Sequence, residues 1–310
     1  MEYKVCKLKF KTGVHLGKGR LTDAECTLHA DTLFSALCIE AIRSGGEVKL
    51  KSLVNDAKQD KIKISNGFPY IGKTLFLPKP MIPFEKKETQ EENKKEYKKL
   101  QYISAKNFSV YLAGNLNPTK EREQLKYLGK EAFQDKVAII DRVESEPYHI
   151  GVYYFYSNAG LYFLMGFENE KIWKEVRELL NIVGIEGIGG RRSSGLGKFE
   201  IEEDVIPNEL KLYLKDPEKM TNKMTLSLCL PREDELEKSM EGASYLIERR
   251  SGFVASENYA NTWRKKRDLF CFQAGSVFKN TFSGDVYDVA MNGNHSVYRY
   301  AKPFFMGVSL

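Results

Sequence analysis

The chain has 310 residues, 42% of them hydrophobic and 12% aromatic, which is enough apolar material for one large or two ordinary packed domains. Its 48 Lys and Arg against 42 Asp and Glu give a net charge of +6. The five cysteines lie far apart without a CxxC pair, and no apolar run approaches the ~20 residues of a membrane span. We therefore expect a cytoplasmic protein without a signal peptide, disulfide framework, transmembrane segment or metal centre.

The N-terminal region is predicted to contain a strand, a basic loop and a helix. Residues 5–11 alternate apolar and basic side chains, as an edge strand with one solvent-exposed face does. The loop that follows, 12–30, contributes three candidate ligands for an anion: His15, Lys18 and Arg20. Asp31 is expected to cap a helix with one apolar face, which ends at residues 44–46.

Three further strands are predicted, at 62–64, 152–156 and 161–167, and the turn-forming residues 157–160 indicate a hairpin between the last two. A long insertion, about 76–146, separates the second and third strands. It contains a proline-rich stretch and a mixed-charge run, 85–99, that is typical of a solvated, partly mobile segment. Because an insertion this long usually has a task, we expect a protruding hairpin or lobe.

A second helix is predicted at 171–183, where the apolar residues share one face, and a strand at 198–202, where they alternate. The order is then strand, helix, strand, strand, helix, strand. This is the ferredoxin-like pattern, which is also the scaffold of RNA-recognition modules.

The loop at 187–198 is the most distinctive segment of the chain, with five glycines, two serines, three cations and no acid. Glycine allows the backbone to approach a ligand closely, and successive N–H groups form a concavity for anions. The loop is therefore predicted to bind phosphate; a flexible turn with incidental cations is the alternative. The candidate ligands are Gly187, Gly189, Gly190, Arg191, Arg192, Ser193, Ser194, Gly195, Gly197 and Lys198.

Two familiar nucleotide-binding loops do not fit this segment. A P-loop requires Lys where Leu196 follows Gly195, and a dinucleotide fingerprint requires Gly where Arg192 stands. Both also run from a strand into a helix, the reverse of the predicted order here. We therefore predict no ATP, NAD or other cofactor.

The C-terminal part is predicted to be a second α+β unit. A linker that contains a strand, 207–222, leads to a strand at 224–228 and a helix near 234–240. Further strands are indicated at 245–254, 269–272 and 297–300. We expect two tandem ferredoxin-like (RRM-like) domains, 1–205 and 206–310, with the insertion in the first.

Positive charge is concentrated in three regions. Residues 1–20 carry six Lys or Arg against one acid, 187–198 carry three against none, and 245–302 carry nine against five. Such clusters indicate a polyanionic partner, most commonly nucleic acid. The last region supplies the candidate RNA ligands Arg249, Arg250, Trp263, Arg264 and Lys265, and the candidate stacking residues Tyr259, Trp263 and Tyr298, for which core packing is the alternative.

Several motifs together resemble the RAMP superfamily of CRISPR proteins. They are HADTLFSAL at 29–37, the glycine-rich loop after the second helix, ERRSGF at 248–253, RKK at 264–266, QAGSVF at 273–278 and HSVYRYAKP at 295–303. The combination is similar to the fourth-subunit family of the type III-A (Csm) effector. The similarity covers nearly the whole chain and is weakest over 85–135.

The resemblance implies a noncatalytic subunit that binds and caps the repeat-derived 5′ tag of crRNA in antiviral defence. It also implies contacts with the large palm-domain subunit and with the backbone RAMP subunit. The insertion corresponds to a thumb that wedges against the guide–target duplex. In this interpretation Arg191, Arg192 and Lys198 bind phosphates, and the two serines meet base edges and 2′-hydroxyl groups.

An endoribonuclease is the alternative function. Some RAMP proteins cut precursor crRNA without a metal, and His15, in a glycine-containing loop after the first strand, is the residue to suspect as general base. The sequence nearby shows no second acid or base with a supporting lysine. His29 and His149 lack metal-ligand spacing, so we predict no metal site and assign no catalytic residue.

Overall fold

The computed structural model describes residues 1–17, 19–82, 91–140, 144–256, 258–262 and 264–309. Their helices are α1 (Ala30–Lys58), α2 (Glu91–Lys99), α3 (Phe108–Leu112), α4 (Pro118–Gln124), α5 (Glu170–Glu186), α6 (Asn208–Lys215) and α7 (Glu233–Met240). Their strands are β1 (Glu2–Phe10), β2 (Ile62–Ile64), β3 (Phe68–Ile71), β4 (Thr74–Pro78), β5 (Tyr102–Ser104), β6 (Gly129–Ile140), β7 (Glu144–Phe155), β8 (Ala159–Phe167), β9 (Phe199–Asp204), β10 (Asn222–Thr225), β11 (Ile247–Arg250), β12 (Leu269–Phe272), β13 (Val277–Phe278), β14 (Asp285–Asp288), β15 (Tyr298–Ala301) and β16 (Phe305–Val308). Within these residues no helix is both long enough and apolar enough to cross a bilayer.

The main sheet has seven strands in the order β5-β4-β3-β8-β1-β9, and β2 also pairs with β8. β1 lies antiparallel between β8 and β9, with Cys6 opposite both Phe163 and Glu203. α1 follows β1, and α5 follows β8. The N-terminal unit therefore has the predicted ferredoxin-like order, with β2 and β3 together in the place of the second strand.

β8 is buried at every residue because both faces of the sheet are covered. Its odd-numbered residues, among them Phe163, pack with α1 and α5 in a first core cluster. Its even-numbered residues Tyr162 and Leu164 belong to a second cluster, together with Met224 and Phe304 of the C-terminal half. The two halves of the chain thus share part of their core.

The hairpin predicted between 152–156 and 161–167 is wrong. β7 pairs along its length with β6, from Phe155 opposite Gly129 to Glu144 opposite Ile140. β8 instead pairs with β1, β2 and β3. The side chains of β7 divide between two clusters: Tyr153 belongs to the first core cluster, whereas Val152 joins a small cluster with Leu196 of the glycine-rich loop.

The insertion divides into a lobe and a ribbon. β4 and β5 extend the main sheet, and buried residues from Leu100 to Leu116, around α3, pack onto the second core cluster. The two-stranded β6–β7 ribbon lies outside the main sheet and extends the insertion to residue 155. Of the mixed-charge run 85–99, residues 85–90 lie outside the described residues, and Glu91–Lys99 is α2.

The C-terminal half contains a three-stranded sheet, β13-β10-β16, and two two-stranded sheets, β11-β12 and β14-β15. α7 lies where a helix is predicted, but the part described here shows no second helix between β12 and β16. A complete second ferredoxin-like unit therefore stays a prediction. Residues 208–215 form α6 instead of a strand, because Leu210 and Leu214, about one helical turn apart, are both buried.

α1 extends beyond its predicted end. The helix breaks at Gly46, where φ is 64° and ψ is −163°, and then continues to Lys58. Leu53, Val54 and Ala57 of this second segment are buried in the first core cluster, which explains why the helix resumes.

Candidate nucleic-acid interface

The glycine-rich loop joins the C-terminal end of α5 to β9, as the predicted order requires. Gly187 follows the helix with φ of 91°, and its N–H donates to the carbonyl of Val183. The negative end of the helix dipole therefore faces the loop. Anion binding here has to rely mainly on side-chain cations, because several loop N–H groups, among them those of Gly190, Gly195 and Gly197, already donate to backbone carbonyls.

Backbone hydrogen bonds tie the base of this loop to the segment after β1. The N–H of Gly197 donates to Gly13 O over 2.8 Å, and the N–H of Gly190 donates to His15 O over 2.9 Å. Within the loop, the N–H of Ile188 donates to Gly197 O over 2.9 Å. The two ends of the loop are thus fixed, and residues 191–194 project between them.

The projecting tip carries the predicted phosphate ligands. Arg191 has φ of 61°, and residues 192–194 form one turn of 3-10 helix. The side chains of Arg191, Ser193, Ser194 and Lys198 are exposed, and that of Arg192 is half-buried. The Arg191 guanidinium carbon lies 5.4 Å from the ring centroid of Tyr148 on β7, so a cation–π contact joins the tip to the ribbon.

His15 is almost fully buried beside the loop. Its Nδ1 lies 2.7 Å from the carbonyl oxygen of Gly151 on β7. A carbonyl can only accept, so Nδ1 carries the proton, and in the neutral ring Nε2 is left as an acceptor. Arg20 of the same segment is exposed, and Lys18 lies outside the described residues.

Two adjoining cavities form what we call the basic groove. The larger, about 400 Å³, is lined by residues that include His15, Gly190 and Arg20. The smaller, about 190 Å³, is lined by residues that include Arg192 and Tyr298. Both cavities are lined by Thr32, Gly189 and Arg250. The groove therefore runs between the glycine-rich loop, the start of α1 and the C-terminal half.

The C-terminal candidates are placed differently from one another. Arg249 is exposed, with Nε 3.2 Å from Asp268 Oδ2. Arg264 and Lys265 are exposed, and Trp263 lies outside the described residues. Tyr259 is buried in a C-terminal core cluster, so it packs in the core and is not placed to stack on a base. Tyr298 lines the smaller cavity of the groove.

Arg250 differs from the predicted free RNA ligand because carboxylates occupy its guanidinium. Nη2 and Nε donate to the two oxygens of Asp31 over 2.9 and 3.1 Å, and Nη1 donates to Glu248 over 3.1 Å. Glu248 also lies 3.3 Å from Nε2 of His29. Arg250 lines the groove, but its donors mainly join α1 to the C-terminal half.

Asp31 is not the helix cap that the sequence predicts. His29 occupies the N-cap position, and Asp31 lies in the first turn of α1. Its carboxylate accepts from Arg250 and, over 3.4 Å, from Nη1 of Arg299. Burial raises the pKa of Asp31, but the charges and hydrogen bonds of Arg250 and the nearby cations outweigh it, and the net pKa is lowered.

Sequence patterns assign no role to Lys266, which lines the smaller cavity, or to Tyr148, which contacts Arg191; Arg299 lies in a predicted interface or RNA-contact motif and also lines the smaller cavity. Lys266 and Arg299 stand in the basic motifs at 264–266 and 295–303, which was the available signal. Among the described residues no group of three His, Cys, Asp or Glu is arranged to bind a metal.

A ferredoxin-like sheet whose second helix leads through a glycine-rich loop into the last strand, beside a basic groove, is the arrangement of the RAMP class of CRISPR proteins. Residues 218–308 match a family model described as the CRISPR Csm4 C-terminal domain. A Mycobacterium tuberculosis protein described as CRISPR system Cms protein Csm4 is 35% identical over 295 residues, which cover 95% of this chain and 94% of the relative. The protein of the same description from Streptococcus thermophilus is 33% identical, with 98% of each chain covered. The chain belongs to the Csm4 family.

Solved structures support the fold. The chain matches one from a crystal structure of a Csm3–Csm4 subcomplex of the type III-A CRISPR-Cas interference complex, with a TM-score of 0.71 and 22% identity over the whole of both chains. It also matches one from a Csm1–Csm4 cassette in complex with AMPPNP, with a TM-score of 0.62, 21% identity, and coverage of 100% of this chain and 99% of the other.

Proposed function

We propose that this Csm4-family chain is a noncatalytic, cytoplasmic RNA-binding subunit that binds and caps the repeat-derived 5′ tag of crRNA in a type III-A effector. The observation that carries the proposal is the cationic tip of the glycine-rich loop, whose Arg192 lines the basic groove. A single-stranded tag supplies phosphates for the exposed cations and base edges for the exposed serines.

We infer that the chain bridges two protein partners in that effector, the large palm-domain subunit and the backbone RAMP subunit. Support comes from the matching structures, which are described as Csm1–Csm4 and Csm3–Csm4 assemblies. We assign the role of the thumb, against the guide–target duplex, to the β6–β7 ribbon. Its contact with Arg191 through Tyr148 would connect the duplex-facing element to the tag-binding loop.

We also propose the division into domains 1–205 and 206–310, with a reduced ferredoxin-like unit as the second. The family model for a C-terminal domain begins at residue 218, shortly after this boundary. Strand β10, helix α7 and the paired strands β11 and β12 supply the first elements of the pattern.

Replacing Arg191 and Arg192 together with alanine is expected to weaken binding of tag RNA at least about tenfold, because charge-assisted contacts to two phosphates are lost. The slope of log affinity against log salt should fall by about 1.4, that is, 0.7 per phosphate for a single strand. Fluorescence anisotropy with an RNA that ends in the repeat-derived tag measures both quantities.

The matched control is Lys171→Ala with Lys174→Ala, which removes two exposed charges from α5, away from the groove. We expect this control to retain RNA affinity. Wild-type protein assembled with its large and backbone subunits should also copurify with RNA that shares one repeat-derived 5′ end. Unchanged affinity of the arginine double variant would refute the role of the loop.

The noncatalytic assignment predicts that purified protein leaves precursor repeat RNA intact in the presence of EDTA. The same experiment tests the endoribonuclease alternative, in which His15, a residue lining the larger cavity, is the general base. Its Nδ1 bond to Gly151 instead suits a residue that fixes β7 beside the loop. Gel electrophoresis of labelled RNA measures cleavage. Metal-independent cutting that His15→Ala abolishes, in a variant that still unfolds like wild type, would establish the alternative.

A further inference from the structure

The smaller cavity of the basic groove lies between three parts of the chain. The first helical turns of α1 form one side, through Thr32 and Ser35, and the glycine-rich loop forms another. The C-terminal half closes the cavity with Lys266, Tyr298 and Arg299. Its volume of about 190 Å³ is below the range of roughly 300–1,000 Å³ that is usual for drug-sized ligands. The cavity therefore suits a small group.

The cavity carries an excess of positive charge. Four cations line it (Arg192, Arg250, Lys266 and Arg299), whereas Asp31 is the single carboxylate among the described lining residues. That carboxylate already accepts hydrogen bonds from Arg250 and Arg299. Glu248, which lies outside the lining, bonds the remaining side of Arg250.

Two of these cations, Lys266 and Arg192, lack a carboxylate partner among the residues that the structure describes. Within the described part of the chain, no Asp or Glu oxygen lies within 4.0 Å of the Lys266 ammonium or the Arg192 guanidinium. Both side chains are half-buried. Partly buried cations that line one cavity without a carboxylate in direct contact are unfavourable unless a ligand supplies the counter-charge.

The environment of Lys266 agrees with this interpretation. Burial lowers the pKa of Lys266, and Arg299 and Arg250 lower it further, while Asp31 acts in the opposite direction. An anion placed between these groups would reverse the repulsion.

We propose that this cavity binds one phosphate group, held by Arg192, Lys266 and Arg299, and that the phosphate is a single internal linkage of the bound RNA. The proposal rests on the proposed RNA-binding function and adds to it one buried phosphate site built from both halves of the chain. Ser35, Ser251 and Tyr298 line the same cavity, and each carries a hydroxyl group of the kind that donates to phosphate oxygens. Continuity with the larger cavity through Gly189 and Thr32 favours a polymer over an isolated ion.

The test combines Lys266→Gln with a 2′-O-methyl tag RNA in which one linkage at a time is a neutral methylphosphonate. In the wild-type full chain, we expect one linkage whose neutralisation lowers affinity about tenfold. In Lys266→Gln, neutralising that same linkage should lower affinity by a clearly smaller factor than in wild type, because one of its three cationic partners is already gone. The control Lys174→Gln makes the same change at an exposed position on α5 and should keep the wild-type pattern.

A second readout separates binding from folding. Removing Lys266 relieves repulsion, so the thermal unfolding midpoint of Lys266→Gln without RNA should equal or exceed that of wild type; a clear drop would instead indicate a structural role and contradict the proposal. Titration with inorganic phosphate alone tests the other source of the same chemistry. If inorganic phosphate binds wild type but not Lys266→Gln, and no RNA linkage depends on Lys266, the cavity is a phosphate site whose ligand is a free ion. The RNA part of the proposal would then be wrong.

The proposal would be overturned if every neutralised linkage changed RNA affinity equally in wild type and Lys266→Gln and if inorganic phosphate did not bind the wild-type protein. Failure of the proposed function has a different signature, because wild-type protein would then not bind the unmodified tag RNA at all, whereas the phosphate titration would still report on the cavity.

Discussion

Replacing Asp31 with alanine is expected to lower the free energy of unfolding by about 3–5 kcal/mol, the usual cost of removing one partner from a buried ion pair. The Asp31 side chain is only 6% exposed, and that of Arg299 is equally buried. Without the carboxylate, Arg299 loses its ion pair and Arg250 keeps only Glu248, so two neighbouring guanidinium groups share one counter-charge. The contact between α1 and the C-terminal half should weaken first, since Asp31 joins them.

Urea unfolding of the full chain measures this loss. Asp31→Asn keeps the volume but not the charge, so it should also destabilise, by less than alanine. Adding Arg250→Met to Asp31→Ala should recover part of the loss, because one of the two neighbouring cations is removed. A loss below about 1 kcal/mol for Asp31→Ala would place this pair among ordinary surface ion pairs.

The pH dependence gives an independent check on the same residue. Burial raises the pKa of Asp31 and its arginine partners lower it, with a net pKa below the ordinary value of 3.8. A carboxyl with a lowered pKa stabilises the fold above its unfolded pKa, and that stabilisation is lost as pH falls through the folded pKa. The stability difference between wild type and Asp31→Asn should therefore be largest near neutral pH and shrink below about pH 4.

The elements that the sequence predicts well are those whose signals are local. The apolar stripe at 171–183 and the alternation at 198–202 appear as α5 and β9 with small shifts at their ends. The glycine-rich loop lies between them as expected. Here the spacing of neighbouring side chains determines the structure, so the pattern is sufficient.

The features that the sequence misplaces depend on distant partners. Alternation marks β7 as a strand but cannot say that it pairs with β6 and not with β8. Asp31 stands where a helix cap is common, yet its partners Arg250 and Arg299 are 219 and 268 positions away. The same separation hides the cluster around Lys266, because no local pattern brings α1, the loop and the C-terminal half together.

Gly197→Ala is expected to destabilise the chain by about 3 kcal/mol or more and to lower affinity for tag RNA at least about tenfold. Gly197 has φ of 79°, and a Cβ at this position would lie 1.9 Å from the carbonyl oxygen of Ile188. That contact is with backbone, so no side chain can rotate away from it. The strand-like bonds from Gly197 N–H to Gly13 and from Ile188 N–H to Gly197 would have to break or shift, and the cationic tip would move with them.

Gly195→Ala is the matched control for the steric part of this effect. Gly195 also has positive φ, 84°, but a Cβ there would point into open space. Its substitution should therefore cost only the left-handed backbone strain, about 1–2 kcal/mol. Urea unfolding gives the free energy of unfolding of both variants. The difference between the two values is the cost of the steric contact between a Cβ at Gly197 and the Ile188 backbone. If the two variants lose equal stability, the backbone near Gly197 and Ile188 can move to accept a Cβ. The fixed geometry that we assign to the tip of the RNA-binding loop would then be wrong.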